Sequence, residues 1–404
     1  MTDWISLGVL ASSVPRDAVD EAIAVTGKQA KRSDGRLPPH AMVYFAMAMA
    51  LFADDDYEEV ATRLTETVVS WGCWDSEWAV PTSGGITQAR QRLGYEPLRQ
   101  LFGQVAVPVA DELTRGGWLG SWRLMALDGF EWDVPATEAN VGEFGCAAAG
   151  SAFPKVRVVT VSECASHAVV DVEMGGVVGV GSGEQALPRR LFRRWEPEWL
   201  VIADRNFYNF VDWCAAADTG AALLWRVKAN LKLPVLRFLP DGSYISVVVN
   251  SRMCSKTKHA VIEAARVGAD VDPDRARLVR VVEYTVPDRA GDGNDELICL
   301  ITTIKDPTVV PAGLLAQTYH QRWEHETGNQ QLKTYLRGPA KVLRSKSPDM
   351  VRQEIYGYLL THYAISALIC RAATEADIDP DRVKFTRTVR VVRRRVADPA
   401  AFSP

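Results

Sequence analysis

The segment WLVIAD, Trp199 to Asp204, decides the fold, because five apolar residues in a row end in a single carboxylate. A short apolar run of this length is typical of a strand that is buried on both faces. A second run, Arg123 to Leu127, is followed directly by Asp128 and Gly129. We therefore expect two strands of an α/β sheet, each with an aspartate at its end.

The segments around these two runs alternate between strand and helix. Two strands are predicted at Lys155 to Ser162 and His167 to Met174. The segment from Pro135 to Phe153, which lies between Asp128 and the first of these strands, is predicted to be a mobile loop. The remaining segments, a helix, a second helix and a strand, are Gly183 to Trp195, Phe207 to Ala217 and Ala221 to Val227. A small mixed sheet with helices on its faces fits this order, as in a ribonuclease-H-like core.

The rest of the chain divides by texture into three further parts. Residues 1–117 have helical periodicity, with Ser83 as a helix cap and a last helix from Pro97 to Leu113, and are predicted to form an N-terminal α-helical DNA-binding domain. Residues 228–305, which include HAVIEAARV, are predicted to be a β-rich insertion. The fold class is therefore α/β, with a core formed by residues 118–227 and 306–404 around that insertion, and with a helical C-terminal segment.

Composition describes an ordinary globular protein, with 47% hydrophobic and 24% charged residues and a net charge of −4. Residues 321–404 nevertheless carry 15 basic against nine acidic residues, so contacts with nucleic acid are expected there. The seven cysteines form no CxxC pair, and no signal peptide is recognisable at the N-terminus. The apolar stretch from Ala41 to Ala53 is shorter than the roughly 20 residues of a membrane span. A cytoplasmic protein with no membrane partner is expected.

The predicted helix from Leu314 to Leu336 carries four polar residues of different chemistry on one side. At about 100° per residue, Tyr319, Arg322, Glu326 and Lys333 fall within about 60° of arc. Leu332 and Leu336 point elsewhere, toward the core. This face can place a carboxylate beside donors for phosphate oxygens. The alternative is a solvated face in which Arg322 and Glu326 pair at i,i+4.

Three carboxylates, Asp128, Asp204 and Glu326, fall on elements that a metal-dependent nuclease needs. Strand ends converge on a crevice in α/β sheets, and carboxylates are hard oxygen ligands suited to Mg²⁺ or Mn²⁺. Two metals about 3.5–4 Å apart can activate an attacking oxygen and stabilise a leaving one. Taken singly, Asp128–Gly129 is also a common turn dipeptide, and Asp204 can simply cap the following helix.

Other candidate contacts with DNA are basic or aromatic. Arg344 and Lys346 follow the polar helix and can bind phosphate, although basic residues at a surface are often only solvated. Trp323, on the polar helix itself, can stack on a base, although core packing is the more common role of a tryptophan.

Tyr319 to Lys333, YHQRWEHETGNQQLK, has the form Y-x2-R-x3-E-x6-K. It resembles the signature of bacterial DDE transposases of the insertion-sequence-four group. LDGFEWDVPATEANVGEFG around Asp128 and VIADRNFYN around Asp204 resemble the segments of that family's two aspartates. QARQRLG near the N-terminus and VRQEIYGYLLTHYAI near Tyr356 are also similar, so the resemblance covers nearly the whole chain.

The resemblance implies a transposase that binds its element's ends, cleaves DNA and transfers strands. Asp128, Asp204 and Glu326 would be the catalytic residues and the ligands of two Mg²⁺ ions, which Mn²⁺ can replace. Tyr319, Arg322 and Lys333 would grip phosphates near the cut. The DNA partners would be terminal inverted repeats and target DNA, bound by a synaptic homodimer near a bacterial nucleoid. Relatives of this family that cut the second strand do so through a DNA hairpin, so the resemblance also allows a hairpin intermediate.

Two other functional classes stay open at this point. One is a metal-dependent nuclease on the same core that hydrolyses DNA without transferring strands. The other is a transposase-derived DNA-binding protein without catalysis. Strand-transfer products distinguish the transposase from the nuclease, and metal-dependent nicking distinguishes both from the binding protein.

Overall fold

A computed structural model describes residues 8–30, 37–70, 79–148, 150–179, 186–286, 296–338 and 341–395, without the side chains of residues 66–70 and 321–329. The N-terminal region is helical, as its periodicity predicts. After a 3₁₀ turn at Gly8–Ser12, its helices are α1 Arg16–Val25, α2 Pro39–Leu51, α3 Tyr57–Ser70, α4 Ser83–Leu93 and α5 Glu96–Val105.

Two helix ends in this region differ from the prediction. The cap of α4 is Thr82, whose hydroxyl accepts a hydrogen bond from the amide of Gly85 at 3.2 Å, so the assignment of Ser83 as the cap was wrong. Helix α5 ends at Val105 instead of continuing to Leu113. Pro108 explains this end, because a proline disfavours helical backbone in the residue before it.

The middle of the chain is built on a mixed sheet. Its strands are β1 Trp118–Leu119, β2 Trp122–Asp133, β3 Lys155–Glu163, β4 Val169–Gly176, β5 Trp199–Ala203 and β6 Ala222–Val227. The spatial order is β4-β3-β2-β5-β6, in which β2, β5 and β6 run parallel and β3 and β4 run antiparallel to their neighbours. This is the mixed sheet that the sequence predicts.

Three short helices connect the strands of this sheet. They are α6 Glu138–Phe144, α7 Pro188–Leu191 and α8 Phe210–Ala217, with a 3₁₀ turn at Phe192–Arg194 after α7. The prediction of a mobile loop from Pro135 to Phe153 was wrong in part, since α6 lies within it. Thr137 caps α6, and the buried amide of Asn140 donates to the carbonyl of Ser345 at 3.3 Å, which ties the helix down.

The insertion extends the same sheet beyond β6. Its strands, β7 Arg237–Phe238, β8 Tyr244–Val249, β9 Ala276–Val286 and β10 Glu296–Thr302, add in the order β10-β9-β8-β7. HAVIEAARV, predicted as a strand, belongs instead to α9, Ser255–Arg266. Val261, Ile262 and Ala265 fall on one helical face and pack against β8 and β9, so their 3.6-residue period overrides the β-branched composition.

Long helices complete the fold after the insertion. They are α10 Ala312–Gln330, a π-helical turn Gln331–Leu336, α11 Pro348–Glu375, a 3₁₀ turn Pro380–Arg382 and α12 Phe385–Arg395. The single helix predicted from Leu314 to Leu336 thus changes from α to π at Gln331. No helix in the described parts of the chain is long and apolar enough to cross a membrane.

Helix α11 joins the N-terminal helices to the core. It packs along α2, whose residues from His40 to Leu51 are all buried, in one continuous apolar cluster that reaches Trp132 in β2. The two helices cross closely at Gly357, where a β-carbon would lie 2.4 Å from the carbonyl oxygen of Ala46. Only glycine permits this approach.

Candidate active site

Asp128 and Asp204 lie side by side because of the register between β2 and β5. Leu127 pairs with Ala203 in the parallel ladder, so each aspartate follows its paired residue by one position. Leu124 and Ala126 in β2, like their counterparts in β5, face the cluster that contains Tyr319 of α10. Since successive side chains alternate between faces, both carboxylates project toward α10.

The prediction that Asp128 ends its strand was wrong. Strand β2 continues to Asp133, because Phe130 and Trp132 are buried and residues 129–133 keep pairing with β3. The pairing with β5, however, stops at Leu127. Asp128 therefore projects at the point where its parallel neighbour ends, which leaves space beside it.

Asp128 and Asp204 form a row across neighbouring strands, which we call the carboxylate row. Arg226, which the sequence patterns did not point to, continues this row on the next strand. Ala203 pairs with Trp225 in β6, so Arg226 stands next to Asp204 in the following register position. Its guanidinium is almost fully buried and forms an ion pair with Glu296 at the start of β10, and Arg205 approaches the same carboxylate at 3.7 Å. An arginine inside the otherwise apolar run ALLWRV was the available signal.

Helix α10 crosses this row from the middle of the sheet toward β2. Tyr319 is fully buried in the cluster over β2, β5 and β6, whereas the ammonium of Lys333 lies 5.4 Å from the ring centroid of Phe130 in β2. Residue 326 is seven positions from each of these two anchors. Because α10 is held at these two anchors, one over the cluster that contains Ala126 and the other over Phe130, we expect its backbone to bring residue 326 near Asp128.

Lys333 lies within electrostatic range of Asp128. Burial lowers the pKa of Lys333 from its ordinary value, while the Asp128 carboxylate acts in the opposite direction. A half-buried ammonium near a carboxylate is a suitable donor for a phosphate oxygen that enters between them. The π-turn that holds Lys333 shifts the phase of the helix, a feature often found at functional sites.

Tyr284 and His320 line the same side of the sheet. The ring of Tyr284 in β9 meets that of His320 in α10 edge-on, with centroids 5.4 Å apart. Burial, reinforced by the nearby Tyr319, raises the pKa of Tyr284. Its hydroxyl has no hydrogen-bond partner among the described residues. A phenol in this state remains a neutral donor near the site.

The insertion holds the start of α10 through a buried arginine. Arg280 in β9 is completely buried and donates to the hydroxyl of Ser243 at 2.8 Å and to the carbonyl of Val310 at 2.7 Å. It also forms an ion pair with Asp241, whose carboxylate accepts a hydrogen bond from the amide of Ala312 at 2.8 Å. The first turn of α10 is thus fixed to the insertion.

The other predicted DNA contacts fall into three groups. The side chains of Arg322 and Trp323, like that of the predicted metal ligand Glu326, lie outside the described residues. Lys346 is exposed, as a phosphate contact requires. Arg344 instead donates to the carbonyls of Ala53 and Asp55, both at 2.8 Å, which favours a role in holding the loop after α2.

A metal centre is compatible with the donors present. Among the described residues no group of three His, Cys, Asp or Glu side chains stands at metal-binding geometry. Asp128 and Asp204 follow paired residues of neighbouring strands, which lie about 4.8 Å apart in a sheet, and their carboxylates are hard oxygen donors that could hold a divalent metal. Among the described side chains these two carboxylates are therefore the donors of the predicted ligand set, and the third predicted donor, Glu326, has its side chain outside them.

Comparisons with known proteins agree with this geometry. The chain matches two family models, Insertion element 4 transposase N-terminal over residues 4–103 and Transposase DDE domain over residues 123–363. It is 25% identical over 376 residues to Transposase InsG for insertion sequence element IS4 of Escherichia coli (strain K12), a match that covers 91% of this chain and 78% of the relative.

A solved structure shows the same fold. The chain superposes on a piggyBac transposase, seen by cryo-electron microscopy in a synaptic complex with hairpin DNA, with a TM-score of 0.50 and 8% identity. The match covers 97% of this chain and 80% of that one. This likeness confirms the ribonuclease-H-like core with its helical additions. The chain belongs to the DDE transposases of the insertion element 4 type.

Proposed function

We propose that this transposase cleaves the ends of its own insertion sequence and joins them to target DNA, with Asp128, Asp204 and Glu326 as metal ligands. The observation that supports this most is the Leu127–Ala203 register, which sets two carboxylates side by side beneath α10. Members of a DDE family depend on divalent metal. The finer assignment to two Mg²⁺ ions, replaceable by Mn²⁺, is part of the proposal.

In this proposal the three carboxylates hold the metal and the surrounding residues hold the DNA. When bound, two such ions activate the attacking oxygen and stabilise the leaving oxygen. Lys333 and Arg226 contact phosphate oxygens from opposite sides of the carboxylate row, with Arg322, Trp323 and Lys346 as further DNA contacts. Tyr319 is expected from the resemblance to grip phosphate, but its side chain is fully buried in the apolar cluster over the sheet, so we assign it the anchoring of α10 instead.

Each step of the proposed reaction is a substitution at phosphorus, in which one P–O bond forms as another breaks. Water attacks the phosphodiester, the bond to the 3′-oxygen breaks, and a free 3′-hydroxyl and a 5′-phosphate result. That 3′-hydroxyl then attacks a target phosphodiester and forms a new bond as the target's 3′-oxygen leaves. Both steps need one approximately in-line geometry, which a rigid carboxylate row favours.

The test is cleavage of the element's own end sequence in a defined duplex, with Mg²⁺, with Mn²⁺ and with EDTA. Wild-type protein is compared with Asp204→Asn, and with Asp270→Asn, an exposed carboxylate after α9, as the matched control. We expect metal-dependent nicks at the repeat boundary with wild type and control only. Cleavage by Asp204→Asn at the wild-type rate would overturn the assignment.

The same reactions distinguish the remaining possibilities. Joined products with target DNA identify strand transfer, whereas nicks alone identify a nuclease, and binding without nicks identifies a DNA-binding protein. Hairpin-sized products show the route by which the second strand is cut. The mass of the complex with end DNA tests the proposed synaptic homodimer.

A further inference from the structure

Helix α12 separates an apolar face from a basic one. Phe385, Val389 and Val392 are buried against α11 and the π-turn. Arg387, Arg390 and Arg394 are exposed and, at about 100° per residue, lie within about 60° of arc on the opposite side. Together with exposed Lys384 they line one open groove, and we name these four residues the α12 basic face.

This basic face is not neutralised by the part of the chain that the structure describes. None of its four cations forms an ion pair there with a carboxylate. The carboxylates near its C-terminal end, Asp54 and Asp55, are already paired with Lys341 and Arg63. Arg390 and Arg394 stand at i,i+4, a spacing at which like charges repel. A polyanion that lies along the helix relieves this repulsion.

A chain of contacts joins α12 to the catalytic helix. The ring of Phe385 packs on that of His362 in α11, with centroids 5.3 Å apart. His362 in turn donates a hydrogen bond to Gln331, the first residue of the π-turn, at 3.1 Å. Two residues further on, Lys333 lies near Asp128. The basic face is therefore held in a fixed relation to the carboxylate row.

We propose that the α12 basic face binds the sugar–phosphate backbone of the DNA duplex held at Asp128 and Asp204, without regard to base sequence. This inference rests on the proposed function only in taking DNA as the substrate. Arg387 to Arg394 spans about 10 Å of helix, and a DNA strand carries one phosphate per about 3.4 Å, so the face is long enough for two or three phosphates. Guanidinium groups bind phosphate oxygens through paired hydrogen bonds.

The experiment measures the salt dependence of DNA binding in EDTA, so that no cleavage occurs. Two duplexes of about 30 base pairs are used, one with the element's end sequence and one with a shuffled sequence. Wild type is compared with Arg387→Gln/Arg390→Gln/Arg394→Gln. Because each phosphate contact contributes about 0.9 to the slope of log K against log salt, we expect the slope to fall by about 2–3 on both duplexes.

The matched control removes the same charge elsewhere. Arg115, Arg266 and Arg275 are exposed, lie on other surfaces and are replaced together by Gln. A slope that falls no further in the α12 variant than in this control overturns the proposal. So does a loss confined to the end sequence, which would make α12 a reader of bases. The Arg→Lys triple variant should keep the wild-type slope.

A second measurement needs no variant and so does not depend on folding. The Lys384 amine is exposed and can be acylated in the wild-type protein, as can that of Lys256 in the insertion. Bound duplex should protect Lys384 and leave Lys256 reactive. Equal reactivity of Lys384 with and without DNA contradicts the proposal. If the slope depends on α12 but Asp204→Asn still cleaves, the proposed function fails while this inference stands, and the reverse pattern removes only the inference.

Discussion

Arg280 and Asp241 form an ion pair inside the insertion, and the same Asp241 carboxylate caps the first residue of the helix that carries Glu326. The insertion is therefore connected to α10 by side-chain contacts as well as by the chain itself. It sits between Asp204 and Glu326 in sequence, and its strands and its buried arginine together fix where α10 begins.

Replacing Arg280 by Met should destabilise the protein strongly. It leaves Asp241 and the carbonyl of Val310 without their buried partner, and breaking a buried pair costs about 3–5 kcal/mol. Arg277→Met is the control on the same strand, because Arg277 pairs with Asp218 near the surface and should contribute about 1 kcal/mol or less. Urea unfolding measures both. Equal small effects would show that the pair does not hold α10.

Lys333 is expected to lower the free energy of unfolding while it supports cleavage of DNA. Burial lowers its pKa, so the folded state disfavours the charged form that the unfolded chain carries at neutral pH. Lys333→Met should therefore raise the free energy of unfolding while it slows cleavage of end DNA. The loss of stability caused by the charged Lys333 should also decrease in wild type as pH rises toward the usual pKa of 10.5. Above that pH the side chain is neutral in both the folded and the unfolded chain, so its burial no longer carries this cost.

The comparison for Lys333 is Lys346→Met, an exposed lysine on the segment after the π-turn. That change should leave the free energy of unfolding nearly unaltered. A destabilised Lys333→Met protein would contradict the view that function keeps this half-buried ammonium in place at a cost in stability.

His362 should make stability depend on pH in the acid range. Burial, and to a lesser degree the neighbouring His167, lowers its pKa to about 3, against 6.5 in the unfolded chain. Between these values only the unfolded state binds the proton, so stability should fall as pH decreases, by about 1.4 kcal/mol per unit. His362→Gln should flatten this slope in denaturant titrations from pH 6.5 to 4, whereas exposed His259→Gln should not. Identical slopes for all three proteins would refute this.

The sequence was sufficient to predict the core of the fold, because the local pattern of apolar residues indicates which segments are buried. WLVIA is buried on both faces as β5, and the four-residue spacing of Leu332 and Leu336 places both in the core although the helix changes to π before them. Strands β5 and β6 are joined by the single helix α8, and such connections are short and right-handed, so few strand orders are possible.

The features that could not be predicted from the sequence depend on pairing between segments that are far apart in the chain. The Leu127–Ala203 and Ala203–Trp225 registers decide which side chains stand beside Asp128, and no local pattern encodes them. Arg226 was missed for this reason, although it stands next to Asp204. Helix α9 was missed because valine and isoleucine favour strands when judged by composition, while its helical packing depends on β8.

Asp128, Asp204 and Glu326 are proposed to form one metal site, and Mn²⁺ binding measured by electron paramagnetic resonance in the presence of end DNA tests this most directly. Wild type and Asp270→Asn should bind about two equivalents, while Asp128→Asn, Asp204→Asn and Glu326→Gln should each lose most of that binding and still bind the DNA. If all five proteins bind Mn²⁺ equally, the three carboxylates do not share a metal site and the account is contradicted.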